Sequence, residues 1–430
     1  MREGKPLRLG DMILVSVDDH VVEPPDMWKG RVPARYADEA PKIVLQDDGT
    51  EAWEFLGRRS SNIGLNAVAG RPPEDYGFDA QSFADMRPGC YDVHQRVRDM
   101  SANGVLAALN FPSWAGFAAG QFFRTPDKDL ALALLQAYND WHIEDWCGPY
   151  PARFIPLGLV PVWDPGLMAA EVHRLANKGC RAVSFAENPT PMGLPSLHSD
   201  HWDPFWAACE DEQTVVCMHI GSSSTLAMTS DDAPFAVSHS FGATRTMGAA
   251  LDLVFSGTFR KFPTFKVALS EGGVGWIPYL LEKMDTHYAH HRAWTGEDFG
   301  DRRPSDIFRE RLVTCFIEDR HGINVRHEIG IDNITWECDF PHSDSTWPRS
   351  PERLWEDVAD IPALDIDKIT HLNAMNVFHF DPFTYRAREQ CTVSALRAEA
   401  SDVDTGFHYA KKRHTLTPMA ATLLDRMGQP

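Results

Sequence analysis

The sequence lacks the usual marks of membrane, nucleic-acid and secreted proteins. No run of about 18 apolar residues occurs in its 430 positions, so no membrane span is predicted. The stretch after Met1–Pro6 has no apolar core of the signal-peptide kind, and a cytoplasmic setting is expected. Basic residues are in deficit: 41 Lys and Arg face 61 Asp and Glu, a formal charge of −20. Such a surface repels phosphate backbones and anionic lipid, which argues against nucleic acid and membrane as partners. The eight cysteines, at positions 90, 147, 180, 209, 217, 315, 338 and 391, include no Cys-x-x-Cys pair. Buried reduced thiols are therefore expected, not disulfides or a zinc–cysteine site. Ser222, Ser223 and Ser224 are not framed by a Gly-x-Ser-x-Gly elbow, which removes the usual serine-hydrolase reading. The glycines after Glu271 lack the spacing of a dinucleotide loop. There is no internal repeat and no low-complexity tract.

What is present is core material. Hydrophobic residues make up 43%, and 13 Trp with 24 Phe suit a large interior and an aromatic-lined pocket. Eight short strand-like runs recur: Met12–Val17, Val105–Phe111, Phe154–Val162, Arg181–Phe185, Thr214–Ile220, Phe265–Ser270, Val313–Ile317 and Ile334–Cys338. Most are continuously apolar, as strands buried on both faces must be. Helical segments are predicted over Asp127–Trp146, Gly166–Lys178, Asp203–Glu212, Ala243–Phe259 and Gly275–His291. Eight strands alternating with helices predict an α/β fold, a (β/α)8 TIM barrel. Close to ninety residues separate the first two strands, too many for one crossover, so residues 26–100 read as an inserted lid or subdomain of the barrel unit 1–380. Residues 381–430 read as a C-terminal extension packing on the barrel or on a partner subunit.

Polar residues collect where these strands end. The first run leads into Val17-Asp18-Asp19-His20 and then Glu23, the fifth into Met218-His219, the sixth into Ser270-Glu271-Gly272-Gly273, and the eighth into Cys338-Asp339-Phe340-Pro341-His342. In a barrel those ends share one rim, where active sites sit. Asp18 and His20, two apart on an extended segment, face the same way. With His219 and Asp339 they make a mixed nitrogen and oxygen set suited to Zn²⁺, Mn²⁺ or Fe²⁺, with one ion or two per chain. Glu23 is a candidate additional ligand. Asp339, Glu271 and His342 are candidates for proton transfer.

Taken singly, each of these residues has a plainer reading. Asp-x-His pairs arise by chance, His219 could be a satisfied core histidine, and Asp339 could cap a turn. Glu23 could sit in a surface loop, and Glu271 could cap a helix. His239 fits a helix entry as well as the rim. His287, His290 and His291 fit an outer helix face, and Trp114, Trp163 and Trp276 fit the core. The shared rim is what favours a site.

With these residues in view, the chain resembles the amidohydrolase superfamily, in its amidohydrolase-2 branch related to aminocarboxymuconate-semialdehyde decarboxylase. The resemblance runs from about Val15 to Phe380. It rests on Val17-Asp18-Asp19-His20 with Glu23-Pro24, Pro204-Phe205-Trp206, Met218-His219-Ile220-Gly221, Ser270-Glu271-Gly272-Gly273 with Trp276 and Pro278, and Asp339-Phe340-Pro341-His342. It implies metal ligation by Asp18, His20, His219 and Asp339. Two departures stand out. Asp18 replaces the more usual first histidine and hardens the site. Glu271 stands where a catalytic histidine is usual, and a carboxylate cannot act as an imidazolium donor.

The resemblance implies a metal-dependent decarboxylase of a small aromatic or enol carboxylic acid. Three alternatives remain open: a metal-dependent hydrolase of an amide, lactone or ester, a dinuclear iron or manganese oxygenase, and a non-catalytic partner of an active paralogue. The expected partners are a small-molecule substrate and further copies of the chain, as a homodimer or higher oligomer, or a paralogue.

Overall fold

The computed structural model describes residues 7–77, 80–223, 225, 227–230 and 232–409. The outer part of the C-terminal extension, 410–430, and Ser224 lie outside the described residues. In chain order the strands are β1 (Val15–Val21), β2 (Lys42–Leu45), β3 (Glu51–Phe55), β4 (Arg58–Ser60), β5 (Ala107–Pro112), β6 (Phe154–Ile155), β7 (Gly158–Leu159), β8 (Ala182–Ser184), β9 (Val215–His219), β10 (Val267–Ser270), β11 (Leu312–Phe316) and β12 (Ile334–Trp336).

Nine of these form one parallel sheet in the order β6-β5-β1-β12-β11-β10-β9-β8-β7. Its two ends, β6 and β7, are halves of one extended passage parted only by Pro156 and Leu157. The sheet therefore returns to its own starting segment and closes as an eight-staved barrel. The sequence predicts a single strand over Phe154–Val162. The structure divides it because Pro156 brings no N–H to the ladder.

The first strand also differs from expectation in a way that matters. β1 runs through Val21 instead of stopping at Val17, so Asp18 and His20 lie within the strand. Its pairing with β5 slips between Ser16 and Asp19. A bulge of this kind bends a strand and re-aims the side chains around it.

The helices follow from local chemistry. Pro165–Asn177 starts at Asp164, whose side chain accepts from the amides of Gly166 and Leu167 at 2.8 and 3.0 Å, with Pro165 in the first turn. It buries Met168, Val172, Leu175 and Ala176, one face at helical spacing. Asp164→Ala would cost about 1 kcal/mol through the lost cap. The helix predicted over Ala243–Phe259 is broken into Ala243–Phe255 and Thr258–Lys261 at Gly257, which adopts φ +84°.

Within residues 26–100, β2, β3 and β4 make a separate antiparallel sheet. Trp28 packs edge to face on Trp53 of β3 and on Trp114, and those two rings meet each other at a 40° tilt, with centroids 5.1–5.5 Å apart. Trp114 therefore belongs to this aromatic core. The segment Val68–Ala69 donates two backbone hydrogen bonds of 2.9 Å to the Pro341 carbonyl, at the loop that follows β12. At the other end of the barrel, helix Val393–Glu399 packs on helix Val93–Asn103, and the Val393 amide donates to the Met12 carbonyl at 2.9 Å. All eight cysteines are free and buried. No helix among the described residues is long and apolar enough to cross a membrane.

Candidate metal centre

Closure of the barrel brings the strand ends together. Asp18 and His20 come from β1, His219 is the last residue of β9, Glu271 follows β10, and Asp339 stands three residues past β12. His20 Nε2 lies 3.5 Å from Asp18 Oδ1 and 3.1 Å from Asp339 Oδ1. His219 Nε2 lies 3.4 Å from Asp18 Oδ2 and 3.0 Å from Glu271 Oε2. His342 Nδ1 is 3.0 Å from Asp339 Oδ1, and its ring stacks on His20 with centroids 3.7 Å apart. Phe117 covers both ligand imidazoles, 4.1 Å from the ring of His219 and 5.0 Å from that of His20.

One imidazole's orientation can be derived. His219 Nδ1 lies 2.6 Å from the Ile220 carbonyl, which can only accept, so Nδ1 carries the proton. Nε2 is left with its lone pair toward the cluster, as metal-binding imidazoles are commonly held.

The donor set fits a divalent cation. Both oxygens of Asp18 and of Asp339, both nitrogens of His20, and Nε2 of His219 are buried without a hydrogen-bond partner in the protein. One such atom costs about 1–3 kcal/mol, so this many within one cluster of side chains favour a shared ligand. The ligand atoms of Asp18, His20 and His219 lie within 4.8 Å of one another, as do those of His20, Asp339 and His342. Electrostatics agree. Burial, then the neighbouring Glu337, Glu271 and Asp339 carboxylates, hold Asp18 well above the usual carboxylate range. Burial, with His342 and His219 close by, drives His20 well below its usual value. A cation favours the ionised acid and the neutral imidazole at once. Burial opposes a charge on His342, but the carboxylates of Asp339, Glu271 and Asp344 together outweigh it and raise that imidazole.

Glu271 and Asp339 both adopt φ +57°, a left-handed backbone that side chains other than glycine rarely take. The cost is about 1–3 kcal/mol each and is characteristic of functional positions.

The candidates do not all converge. Glu23 is fully buried, but its oxygens accept from the Trp114 and Ala115 amides at 2.8 and 3.0 Å. It secures the loop after β5 and shares no ligand group with the cluster among the described residues. His239 Nε2 meets Asp344 Oδ2 at 2.7 Å, and Asp344 in turn neighbours Glu271 and Asp339, so this imidazole does reach the rim. His287 and His290 are exposed on helix Ile277–Thr295. Trp276 donates to the Gly272 and Gly273 carbonyls at 2.8 and 3.1 Å, bracing the turn that carries Glu271.

Four residues near the site are not singled out by the sequence, although Asp319 and Glu337 stand among the polar residues at the ends of the seventh and eighth strand-like runs. Arg96 reaches in from helix Val93–Asn103 to the Gly89 and His20 carbonyls. Glu187 accepts from Ser223 N and Oγ, both at 2.6 Å, and from Ser222 Oγ, tying down the loop after β9. Glu337 accepts from Cys315 Sγ at 2.5 Å and from the Glu271 amide at 3.3 Å. Asp319 accepts from the Val274 and Gly275 amides at 2.8 and 2.6 Å. Their only signal is a charge beside an apolar strand, which does not say what it faces. A cavity of about 770 Å³ opens elsewhere, between the insertion and the C-terminal tail. Arg87 and Arg98 on its wall are already paired, with Asp99 at 2.7 Å and Asp402 at 2.6 Å, so it offers little to an anion.

A closed parallel barrel with a carboxylate and imidazole cluster at its C-terminal rim defines the metal-dependent barrel enzymes. The family model described as Amidohydrolase matches residues 44–380, and the chain belongs to that family. It is 25% identical over 342 residues to a gamma-resorcylate decarboxylase of Rhizobium radiobacter, covering 74% of this chain and 94% of that protein. It is 22% identical over 316 residues to a 2-amino-3-carboxymuconate-6-semialdehyde decarboxylase of Dictyostelium discoideum, covering 72% and 82%. A dihydroxybenzoic acid decarboxylase from Polaromonas sp. JS666, solved with bound manganese and the inhibitor 2-nitroresorcinol, shares the fold. Its TM-score is 0.58 at 18% identity, covering 87% of this chain and 98% of that one.

Proposed function

We propose that the chain is a divalent-metal-dependent decarboxylase of a small aromatic carboxylic acid, using manganese or a similar ion. The observation that carries this is the set of unpartnered, buried ligand atoms on Asp18, His20, His219 and Asp339 at the rim. The decarboxylase relatives support the reaction class.

When bound, the ion supplies positive charge for the substrate's carboxylate and an adjacent oxygen. The rest falls to the protein. Decarboxylation breaks one carbon–carbon bond, releases carbon dioxide, and requires one proton on the ring carbon left behind. Glu271 and Asp339, each with a carboxylate oxygen within 4.8 Å of the other's, are the proposed proton carriers. Glu271 is the more open, its side chain 16% exposed against 1% for Asp339, and so can exchange with solvent. His342 holds the Asp339 carboxylate in line. Phe117 keeps water from the ligand imidazoles and gives an aromatic ring a face to stack on.

The insertion at 26–100 completes the proposal as a lid. Its support is the pair of bonds from Val68 and Ala69 to Pro341 and a 2.9 Å bond from Asn66 Nδ2 to Ser343 Oγ. Self-association is proposed too, supported by Tyr279 and Trp294, which are 70% and 75% exposed on one helix. A cytoplasmic setting is supported by the eight free thiols.

The test is carbon dioxide release by the manganese-loaded enzyme from 2,6-dihydroxybenzoate and 5-carboxyvanillate. Turnover that disappears in Asp339→Asn supports the reading. Hydrolysis of an ester or lactone panel, with no carbon dioxide from either acid, overturns it.

A further inference from the structure

We propose a second metal site beside the first, formed by Asp18, Cys315 and Glu337 and selective for a thiophilic divalent ion of the zinc class. The three residues come from neighbouring staves: Asp18 on β1, Glu337 just past β12, and Cys315 on β11. One ligand atom from each lies within 4.8 Å of the others, and none of the three is more than 1% exposed.

Two observations point beyond a hydrogen-bonded pair. Asp18 is fully buried with neither oxygen hydrogen-bonded, Oδ1 lying 3.5 Å from His20 Nε2 and Oδ2 3.4 Å from His219 Nε2. Each carboxylate oxygen carries two lone pairs, so an Asp18 oxygen that faces an imidazole of the first site can also be shared with a second ion. The neighbouring Cys315 sits among apolar residues of the barrel core, yet its thiol is directed at a carboxylate, Sγ to Glu337 Oε2 at 2.5 Å. Thiolate with carboxylate suits Zn²⁺ or Cd²⁺, whereas the imidazole and carboxylate set also accepts harder ions such as Mn²⁺. The chain would then sort two kinds of metal into adjacent places.

Loading the site breaks the Cys315 S–H bond and forms a sulfur–metal bond, and the proton passes to solvent. No oxidant or reductant is involved. Glu337 also accepts the Glu271 amide, so an ion here would steady the loop that carries Glu271. The proposal does not depend on the decarboxylase reading and needs no turnover to be tested.

The full chain is stripped with chelator and titrated with Cd²⁺, following thiolate-to-cadmium charge-transfer absorption and bound cadmium after desalting. The wild type is expected to bind two cadmium ions, one of them giving the absorption. Cys315→Ser should lose the absorption and fall to one ion, while Cys391→Ser keeps both. Should Cys315→Ser fail to fold, Glu337→Gln carries the test and should weaken the absorbing site at least ~10-fold. One cadmium without the absorption in the wild type overturns the proposal. So does absorption that persists in Cys315→Ser, or an absorbing site unmoved in Glu337→Gln.

Discussion

Arg96 lies 3.7 Å from Asp19 through Nη1 and Oδ2, both side chains fully buried, on the opposite face of β1 from Asp18 and His20. The same guanidinium donates to the His20 carbonyl and stacks over Phe340 at 4.4 Å. One residue of the insertion thus fixes the backbone that presents two candidate ligands. A buried pair is expensive to break from one side, because the remaining charge has no counterpart. Arg96→Met is expected to destabilise the chain by about 3–5 kcal/mol, read by urea denaturation. Adding Asp19→Asn should restore a large part of that loss. Additive effects of the two changes would show that the pair is not coupled.

His219 offers Nε2 to the cluster because the Ile220 carbonyl occupies Nδ1. His219→Ala removes that donor while leaving the β9 backbone in place. Elemental analysis of purified protein should show the manganese of the wild type lost, with affinity at least ~10-fold weaker. Equal metal content in both proteins would remove His219 from the ligand set.

The barrel and its rim could be read in the sequence because both rest on local pattern. Continuously apolar runs such as Val215–His219 mark buried staves, and polar residues at their ends must face the mouth or solvent. What could not be read is how a buried charge is used. Glu23 stands three residues from His20 and looks like a ligand, but the amides it meets belong to residues 114 and 115. Arg96 and Glu337 are defined by partners dozens of positions away in sequence, or by a neighbouring strand. Strand ends were the other weak point, since Asp18 and His20 fall inside β1 through a bulge that no alternation of residue types records.

Glu271 stands beside His219 on a strained backbone, and its carboxylate is more exposed than those of Asp18 and Asp339. Glu271→Gln keeps the size and the hydrogen-bonding oxygen but cannot carry a proton. The expected result is a fall of about 10²-fold in kcat with KM changed by less than about 3-fold, as for a residue that acts only in proton transfer. Glu271→Ala, which also removes packing, should raise KM as well. An unchanged kcat in Glu271→Gln would shift the proton to Asp339.

His142 supplies a pH dependence free of the metal. It is fully buried against Tyr138, with ring centroids 5.9 Å apart, and neither nitrogen has a hydrogen-bond partner. Burial lowers its pKa to about 3. The folded chain therefore keeps the ring neutral, while the unfolded chain takes up a proton below about pH 6.5. The folded state binds fewer protons, so this residue's contribution is intact above pH 6.5 and is lost as the pH falls toward 3. Between pH 8 and pH 4 the loss comes to about 3 kcal/mol. His142→Leu has no ring to protonate, and an unpaired polar group replaced by an apolar one costs little. Urea denaturation across that range should show the wild type weakening relative to the variant as the pH drops. Parallel curves would mean that His142 takes up its proton without unfolding the chain, and that water reaches a place the packing closes off.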